Sequence, residues 1–315
     1  AVDPDRDLNP TALILARALE RHDVRGELAT LTPLHPDYAA LKSALKDGTG
    51  GASEKALVRA NMDRWRWLAR DMGKQYLLTN VPEYMLRLTV NDKVITSYRT
   101  VVGKPGRTAT PQLAEIVQGV IFNPTWTVPQ SIVKGEGLGA RLLGNPGAAA
   151  REGYKVTKGA DGFVTVVQQP GKGNSLGLMK LDMPNAHAIF IHDTPAKSLF
   201  AAPARAFSHG CIRTERASEL GMLMAMLGAG LTKEEGVAHT LSGEYTKVAM
   251  TKTFPIYITY FTMARDVGGS LRKFADIYGR DAPVLASFAK PRELHTDQRT
   301  SSEEVIEIVD DLGAT

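Results

Sequence analysis

The sequence predicts an α+β protein in which a mostly antiparallel, β-rich domain follows a helical scaffold and contains one lid-like insertion. Three observations predict this class. Apolar residues recur at helical spacing up to about residue 70, strand-like alternation follows, and a glycine-rich stretch then interrupts the strands. We therefore divide the chain into a scaffold (1–70), a β-rich domain (71–268) with the insertion at 124–154, and a C-terminal helix with a tail (269–315).

Helical periodicity dominates the N-terminal segment. In the first helix, Leu13, Ala16 and Leu19 recur at helical spacing. The third helix carries Trp65 and Trp67. A glycine-rich break precedes this third helix and predicts a flexible connection. The predicted helices are Thr11–Glu20, Pro36–Leu45 and Glu54–Leu68, and the break is Asp47–Ser53.

From about residue 76, β-branched and aromatic residues mark a series of strands. Asn91 and Asp92 predict a hairpin turn between the second and third of them. Later helices are expected at Glu215–Leu227, which is amphipathic, and at Ser270–Gly279. The predicted strands are Tyr76–Val81, Tyr84–Val90, Lys93–Val102, Ala114–Phe122, Gly162–Val167, Ala186–His192 and Thr253–Phe261.

The composition excludes several classes of protein. With 43% hydrophobic and 23% charged residues, the chain is typical of a globular protein. The net charge of +4 fits attraction to a polyanionic surface such as a cell wall, and no basic stripe predicts a nucleic-acid partner. No run of eighteen apolar residues predicts a membrane span. The chain begins with Ala1 rather than methionine or an apolar signal core, so we interpret it as a processed or trimmed form.

The chain contains one cysteine, Cys211. It cannot form an internal disulfide, and a lone cysteine is more often a small buried apolar residue than a nucleophile. Its neighbours Ser208, His209, Gly210 and Arg213 argue against that interpretation, because they are not apolar. No cluster of histidine, cysteine and acidic residues has metal-ligand spacing, so we expect neither a metal nor a cofactor.

Together with Cys211, His192 predicts an activated nucleophile. His192 ends an apolar strand, which would hold its imidazole rigidly, and fifteen residues (193–207) separate it from Ser208. Asp193 is the nearest candidate to orient the ring, through its carbonyl or its side chain. Either histidine taken alone is more often structural, but the joint pattern is much more specific.

The residues around Cys211 predict how its thiolate would be stabilised. A helix that begins directly after a cysteine lowers the pKa of the thiol, and Arg213 and a protonated His192 would act in the same direction. Gly210 allows close approach of the backbone and can turn amide N–H groups toward a developing oxyanion.

These residues resemble the signature of the L,D-transpeptidase catalytic domain, the YkuD fold, in which a histidine and fifteen residues precede Ser-His-Gly-Cys. The resemblance covers roughly residues 10 to 265. Within this range, the sequence is similar to that of the large YcbB-type members. The stretches that carry it further are Asn61–Trp67, Asn80–Arg87, Val101–Pro105, Phe122–Pro129, Asn174–Lys180, Ile191–Phe200 and Arg205–Arg213.

The resemblance implies a peptidoglycan enzyme of the periplasm. Cys211 corresponds to the nucleophile, which takes the acyl group of a tetrapeptide stem as a thioester and releases the terminal D-alanine. His192 corresponds to the general base. The amine of a second stem's diaminopimelate then completes a 3→3 crosslink. The implied partners are the donor and acceptor stem peptides and carbapenem inhibitors, with no nucleic acid and no membrane span.

The resemblance also implies roles for further residues. The amides of His209, Gly210 and Cys211 are candidate oxyanion donors. The candidate substrate-binding residues are Arg213, Trp126, Asp193 and Ser208. For Arg213 the alternative is a salt bridge within the fold, and for Trp126 it is a buried structural tryptophan. The insertion corresponds to a substrate-capping subdomain, with a plain structural connector as the alternative.

Three other functions stay open at this point. A hydrolase on the same fold would use water in place of the amine and would share the chemistry up to the thioester. A non-catalytic wall-binding protein would retain the fold alone. A papain-like peptidase is disfavoured because His192 precedes Cys211 in this chain. One departure from the larger family members is that only Asp47–Ser53 stands where they carry a peptidoglycan-binding domain.

Overall fold

The computed structural model describes residues 10–48, 50–290, 306 and 308–312. Their contacts define two compact units. The first unit comprises the described residues of Ala1–Ser97, Pro111–Glu115 and Pro255–Asp310. The second comprises those of Tyr98–Thr110, Ile116–Phe254 and Asp311–Thr315.

Helices and strands both occur in long stretches of the chain, which confirms the α+β class. The α-helices are α1 Thr11–Glu20, α2 Val24–Ala29, α3 Pro36–Asp47, α4 Ala52–Trp65, α5 Gln130–Gly135, α6 Leu138–Gly144, α7 Pro146–Arg151, α8 Ala217–Ala229, α9 Lys233–Ser242 and α10 Asp281–Ser287. The strands are β1 Tyr76–Asn80, β2 Met85–Val90, β3 Lys93–Gly103, β4 Leu113–Phe122, β5 Trp126–Thr127, β6 Tyr154–Lys158, β7 Val164–Gln168, β8 Met179–Asp182, β9 Ile191–His192, β10 Ala206–Ser208, β11 Ile212–Thr214, β12 Thr246–Thr259, β13 Met263–Arg265 and β14 Leu271–Lys273. Most neighbouring strands are antiparallel.

In the first unit, helices α3 and α4 bury their apolar residues against strands β1 and β12. Trp65 lies at the centre of this core, stacked between the rings of His35 at 4.2 Å and Phe261 at 4.3 Å. The three helices expected before residue 70 are confirmed within a few residues at their ends. Trp65 is the last residue of α4 and is buried, whereas Trp67 lies beyond the end of the helix and is exposed.

Strand β1 runs antiparallel to β2 and parallel to β12 within the same unit. The turn between β2 and β3 is the one expected from the sequence. Asn91 and Asp92 both adopt left-handed backbone angles, with φ of 49° and 61°. This conformation is required at both positions of a type I′ turn, and asparagine and aspartate tolerate it better than most residues.

The second unit contains a sheet with the strand order β10-β3-β11-β9-β8-β4. Helix α8 packs closely on it, because Gly221 has no side chain: a Cβ there would lie 2.5 Å from Met179. A smaller sheet, β5-β7-β6, packs with α5, α6 and α7 around a separate apolar core. The buried residues of that core are Val128, Val133, Leu142, Ala149 and Val166.

Two expectations about secondary structure are wrong. The helix expected over Ser270–Gly279 is absent, and Leu271–Lys273 instead pair with β13, because Asp266 and Gly269 close a hairpin turn before it. The strand expected from Ala186 is reduced to Ile191 and His192. The Asn185 side chain bonds to the backbone of Ile189 and closes a turn there.

Most of the C-terminal tail, from Lys290 onward, lies outside the described residues. Within the described part of the tail, the Asp311 carboxylate accepts a hydrogen bond from the Thr253 amide at 2.8 Å, which ties it to β12. Among the described residues, no helix combines the length and apolar character needed to cross a bilayer.

Candidate active site

Three neighbouring strands of the second unit bring His192 and the Cys211 segment together. Strand β9 lies between β8 and β11, with Lys180 opposite His192 on one side and Arg213 opposite His192 on the other. Side chains at directly paired positions share one face of a sheet. Lys180, His192 and Arg213 therefore form a row across one face.

The turn that carries Cys211 is held by hydrogen bonds from both sides. The Ser208 hydroxyl donates to the Cys211 carbonyl at 2.6 Å and accepts from the Gly210 amide at 3.1 Å. The fully buried Thr110 hydroxyl donates to the Gly210 carbonyl at 2.7 Å. Gly210 has a φ of 121°, which L side chains rarely adopt, so the turn depends on glycine at this position.

A cavity of about 770 Å³ opens beside this turn. The candidate residues that line it are Trp126, His192, Ser208, His209, Cys211 and Arg213. The structure therefore brings six of the eight expected site residues to one place. Gly210 shapes the turn behind the cavity rather than lining it. The Asp193 carboxylate accepts from the Leu178 amide at 3.0 Å and pairs with Lys197, so its side chain is engaged within the fold.

His192 is buried and neutral. Its Nδ1 bonds to the backbone carbonyl of Asp193, so the proton of the neutral ring is on Nδ1 and the lone pair is on Nε2. Burial and the charge of Arg213 lower the pKa of His192 to about 3. The imidazole is consequently a proton acceptor throughout the neutral and mildly acidic range.

Cys211 is a thiol in this environment. Its Sγ donates to the carbonyl of Ala188 at 3.7 Å, and burial raises the pKa of the thiol. The Phe190 amide, Lys180 and Arg213 oppose that rise. The helix expected over Glu215–Leu227 is present as α8, but β11 lies between it and Cys211, so the N-terminus of α8 does not adjoin the sulfur as expected. The structure thus favours a neutral thiol and a neutral imidazole over a thiolate stabilised by a protonated His192.

Several residues of this site carry no sequence signal that identified them. Thr110 reaches Gly210 across one hundred positions of the chain. Lys180 meets His192 only through strand register, whereas Phe190 is two positions before His192 in the chain and contacts its ring. Glu136 of the insertion pairs with His209 at 3.0 Å. Thr110 lies in the connection between β3 and β4, where no sequence pattern sets it apart. Lys180 ends one of the stretches that carry the family resemblance, but no pattern assigned it a role.

Thr110→Val should destabilise the turn that carries Cys211. The substitution preserves shape but leaves the Gly210 carbonyl and the Gly103 amide without their hydroxyl partner. Each buried group left unpaired costs about 1–3 kcal/mol. We expect a lower melting temperature together with slower acylation of Cys211 by a β-lactam. Thr108→Val removes a more exposed hydroxyl of the same segment and should change neither; equal effects of the two substitutions would contradict this account.

Comparison with known proteins agrees with the geometry. The model of the L,D-transpeptidase catalytic domain, YkuD, matches residues 74–232, which is half of the chain and includes both His192 and Cys211. The chain belongs to the YkuD family. The YkuD match ends just after α8. It therefore includes strands β8, β9, β10 and β11, which carry or flank His192 and Cys211.

One relative and two solved structures illustrate what this YkuD protein is similar to. A Haemophilus influenzae protein, named provisionally as an L,D-transpeptidase, is 26% identical over 223 residues, which cover 66% of this chain. The chain spans only 45% of that relative's length. The catalytic domain of the Enterococcus faecium L,D-transpeptidase acylated by ertapenem is 16% identical, over 60% of this chain and 98% of that domain, with a TM-score of 0.32. An L,D-transpeptidase from Mycobacterium smegmatis is 13% identical, over 59% of this chain and 58% of that protein, with a TM-score of 0.28.

Proposed function

We propose that this protein is a peptidoglycan L,D-transpeptidase with Cys211 as nucleophile and His192 as general base. One observation carries the proposal: the only cysteine of the chain and a buried neutral imidazole face the same cavity, on strands within the YkuD match. A thiol beside a neutral imidazole is the arrangement that general-base activation requires.

The acylation step transfers one proton and exchanges one bond. The Cys211 S–H bond breaks as His192 Nε2 takes the proton, and the sulfur attacks the carbonyl between meso-diaminopimelate and the terminal D-alanine. The carbonyl π electrons move onto oxygen and return as the C–N bond breaks. The imidazolium then gives its proton to the leaving nitrogen, so D-alanine departs and a thioester remains.

The amide groups of the turn would stabilise the oxyanion. The Gly210 amide already donates to the Ser208 hydroxyl, which leaves the amides of His209 and Cys211 as the proposed donors. The Ser208 hydroxyl, in turn, donates to the Cys211 carbonyl and so supports the turn, in addition to lining the cavity.

Arg213 supports a donor stem peptide that carries a negative charge. Its Nε is buried and has no hydrogen-bond partner among the described residues, although a buried donor of this kind costs free energy when it is unpaired. Since Arg213 lines the cavity, a substrate carboxylate would supply the missing partner. Trp126, also at the cavity wall, would contact the stem peptide.

The insertion from residue 124 would cap the donor. Its residues Trp126, Glu136 and Arg141 line the cavity, and Glu136 pairs with His209 of the Cys211 turn.

The second step transfers the acyl group to an acceptor. We propose that this acceptor is the side-chain amine of a second stem's diaminopimelate, which attacks the thioester and gives a 3→3 crosslink. The reaction would take place in the periplasm, where the stem peptides are located.

Incubation with a disaccharide-tetrapeptide separates transfer from hydrolysis. We expect crosslinked dimers together with free D-alanine, and neither product with Cys211→Ala. Mass spectrometry of the products measures both. Tripeptide alone, with no dimer, would contradict transfer and assign water as the acceptor. Substrate left intact by the unmutated protein would contradict catalysis altogether.

A further inference from the structure

We propose that Lys180 is a positioning residue of the same site, whose ammonium, with the Arg213 guanidinium, stabilises the negative charge on Cys211 when His192 takes the proton. This inference rests on the proposed function in one respect only, the assignment of Cys211 as the nucleophile. It adds a residue on β8 to a site otherwise built from β9 and the Cys211 turn.

Strand register places Lys180 in the site. It is the direct partner of His192 on β8, as Arg213 is on β11, so the two cations stand on either side of the imidazole on one face. The cavity lies along this row, because His192 and Arg213 both line it. Lys180 is not among the residues that line the cavity, but its place on this face puts it directly beside His192, next to the cavity.

The ring of Phe190 fixes the ammonium there. Lys180 Nζ lies 4.2 Å from the centroid of that ring, a cation–π contact, and the ring also contacts the imidazole of His192, with centroids 5.5 Å apart. The backbone amide of Phe190 bonds to the Cys211 sulfur. One residue therefore contacts the lysine, the base and the nucleophile together.

The ammonium has no hydrogen-bond acceptor of its own among the described residues that surround it. Burial lowers the pKa of Lys180, while Asp182 and Cys211 oppose that shift and Lys247 adds to it. Asp182 has the larger influence on the pKa of Lys180, but it is also paired with Lys247 at 2.6 Å. Of the two cations that lower the pKa of the Cys211 thiol, Lys180 has the larger effect and Arg213 the smaller. Besides His192, Cys211 and Arg213, the titratable groups that line the cavity are His187, Arg141, Tyr154 and the pair His209–Glu136.

A bound donor substrate would affect the charges of Arg213 and Lys180 differently. If Arg213 binds a substrate carboxylate, its charge is largely compensated during acylation. Lys180 is held over a ring instead, so its charge remains available to the sulfur. When the S–H bond breaks, the row then contains an imidazolium and an ammonium beside one thiolate, and no charge is created or lost in the step.

Alkylation of Cys211 by iodoacetamide tests this directly. The reagent is uncharged, it reacts with the thiolate, and the chain offers no other cysteine. Because an opposite charge nearby lowers the pKa of a thiol by about one unit or more, Lys180→Met should reduce the alkylation rate about tenfold near neutral pH. Lys180→Arg should keep most of the rate. Lys158→Met, an exposed lysine of the same unit, removes the same charge and should leave the rate unchanged.

An unchanged rate in Lys180→Met would overturn the proposal, as would an equal loss in Lys158→Met. An equal loss in Lys180→Arg would show that positive charge is not the property that matters, and would overturn it too. If circular dichroism shows that Lys180→Met does not fold, Lys180→Gln is measured in its place. Alkylation needs no peptidoglycan, so absence of transpeptidation alongside the expected rates would contradict only the proposed function.

Discussion

His192→Ala is expected to slow the acylation of Cys211 by a carbapenem about 10²- to 10⁴-fold at neutral pH, the usual contribution of a general base. The reason is the protonation state of the pair. Burial raises the pKa of the Cys211 thiol, so little thiolate exists without an acceptor for its proton. Stopped-flow or time-resolved intact-mass measurements give the rate.

The same measurement over a range of pH distinguishes this mechanism from a preformed ion pair. Since the pKa of His192 is about 3, the imidazole stays unprotonated as the pH falls, and acylation by the unmutated protein should persist well below the ordinary histidine range. In His192→Ala the rate should rise with pH, as hydroxide generates the thiolate. His187→Ala, a histidine at the same cavity, should have little effect; a fall equal to that of His192→Ala would contradict the assignment of the base.

Asp281→Ala should destabilise the first unit by about 3–5 kcal/mol, the range observed when a buried ion pair loses one partner. Arg64, whose side chain is only 1% exposed, donates to Asp281 at 2.7 Å. Its other acceptors, Thr262, Asn61 and the Arg280 carbonyl, are neutral. The buried guanidinium charge would therefore lose its hydrogen-bonded counterion and keep only its electrostatic interaction with Asp276. Urea unfolding, followed by the fluorescence of the buried Trp65, measures the loss.

Arg272→Ala is the matched control for this prediction. It removes the exposed half of an ion pair with Asp266, 3.2 Å long, in the same unit. Exposed pairs of this kind contribute at most about 1 kcal/mol, so the unfolding midpoint should hardly move. If the two variants lost equal stability, the network around Arg64 would not be the strong stabilising feature that its burial indicates.

How much of this fold the sequence predicts depends on the range of the interactions. The ends of α1, α3 and β2 follow from local periodicity and turn chemistry, and the structure has them within a residue or two. The partner of Arg64 lies 217 positions away, which no local pattern predicts. The expected helix at Ser270–Gly279 fails for a different reason: pairing with β13 across a tight turn outweighs a weak helical pattern.

The candidate site divides in the same way. His192 and Cys211 are conspicuous in the sequence because their spacing and neighbours are specific, and the structure places them at one cavity. Roles for Thr110 and Lys180 could not be predicted, although Lys180 ends a stretch that carries the resemblance, because only a turn contact and strand pairing bring them to the site. The protonation state could not be inferred either, since it depends on burial and on β11 standing between Cys211 and helix α8.

The central claim is that Cys211 is the nucleophile, and intact-mass spectrometry after incubation with a carbapenem tests it most directly. The β-lactam carbonyl is a reactive acyl donor, so we expect the unmutated protein to gain the mass of one inhibitor molecule, located by peptide mapping at Cys211. Cys211→Ala should gain none. No mass gain in the unmutated protein, or an equal gain in Cys211→Ala, would contradict the assignment of this cysteine as the nucleophile.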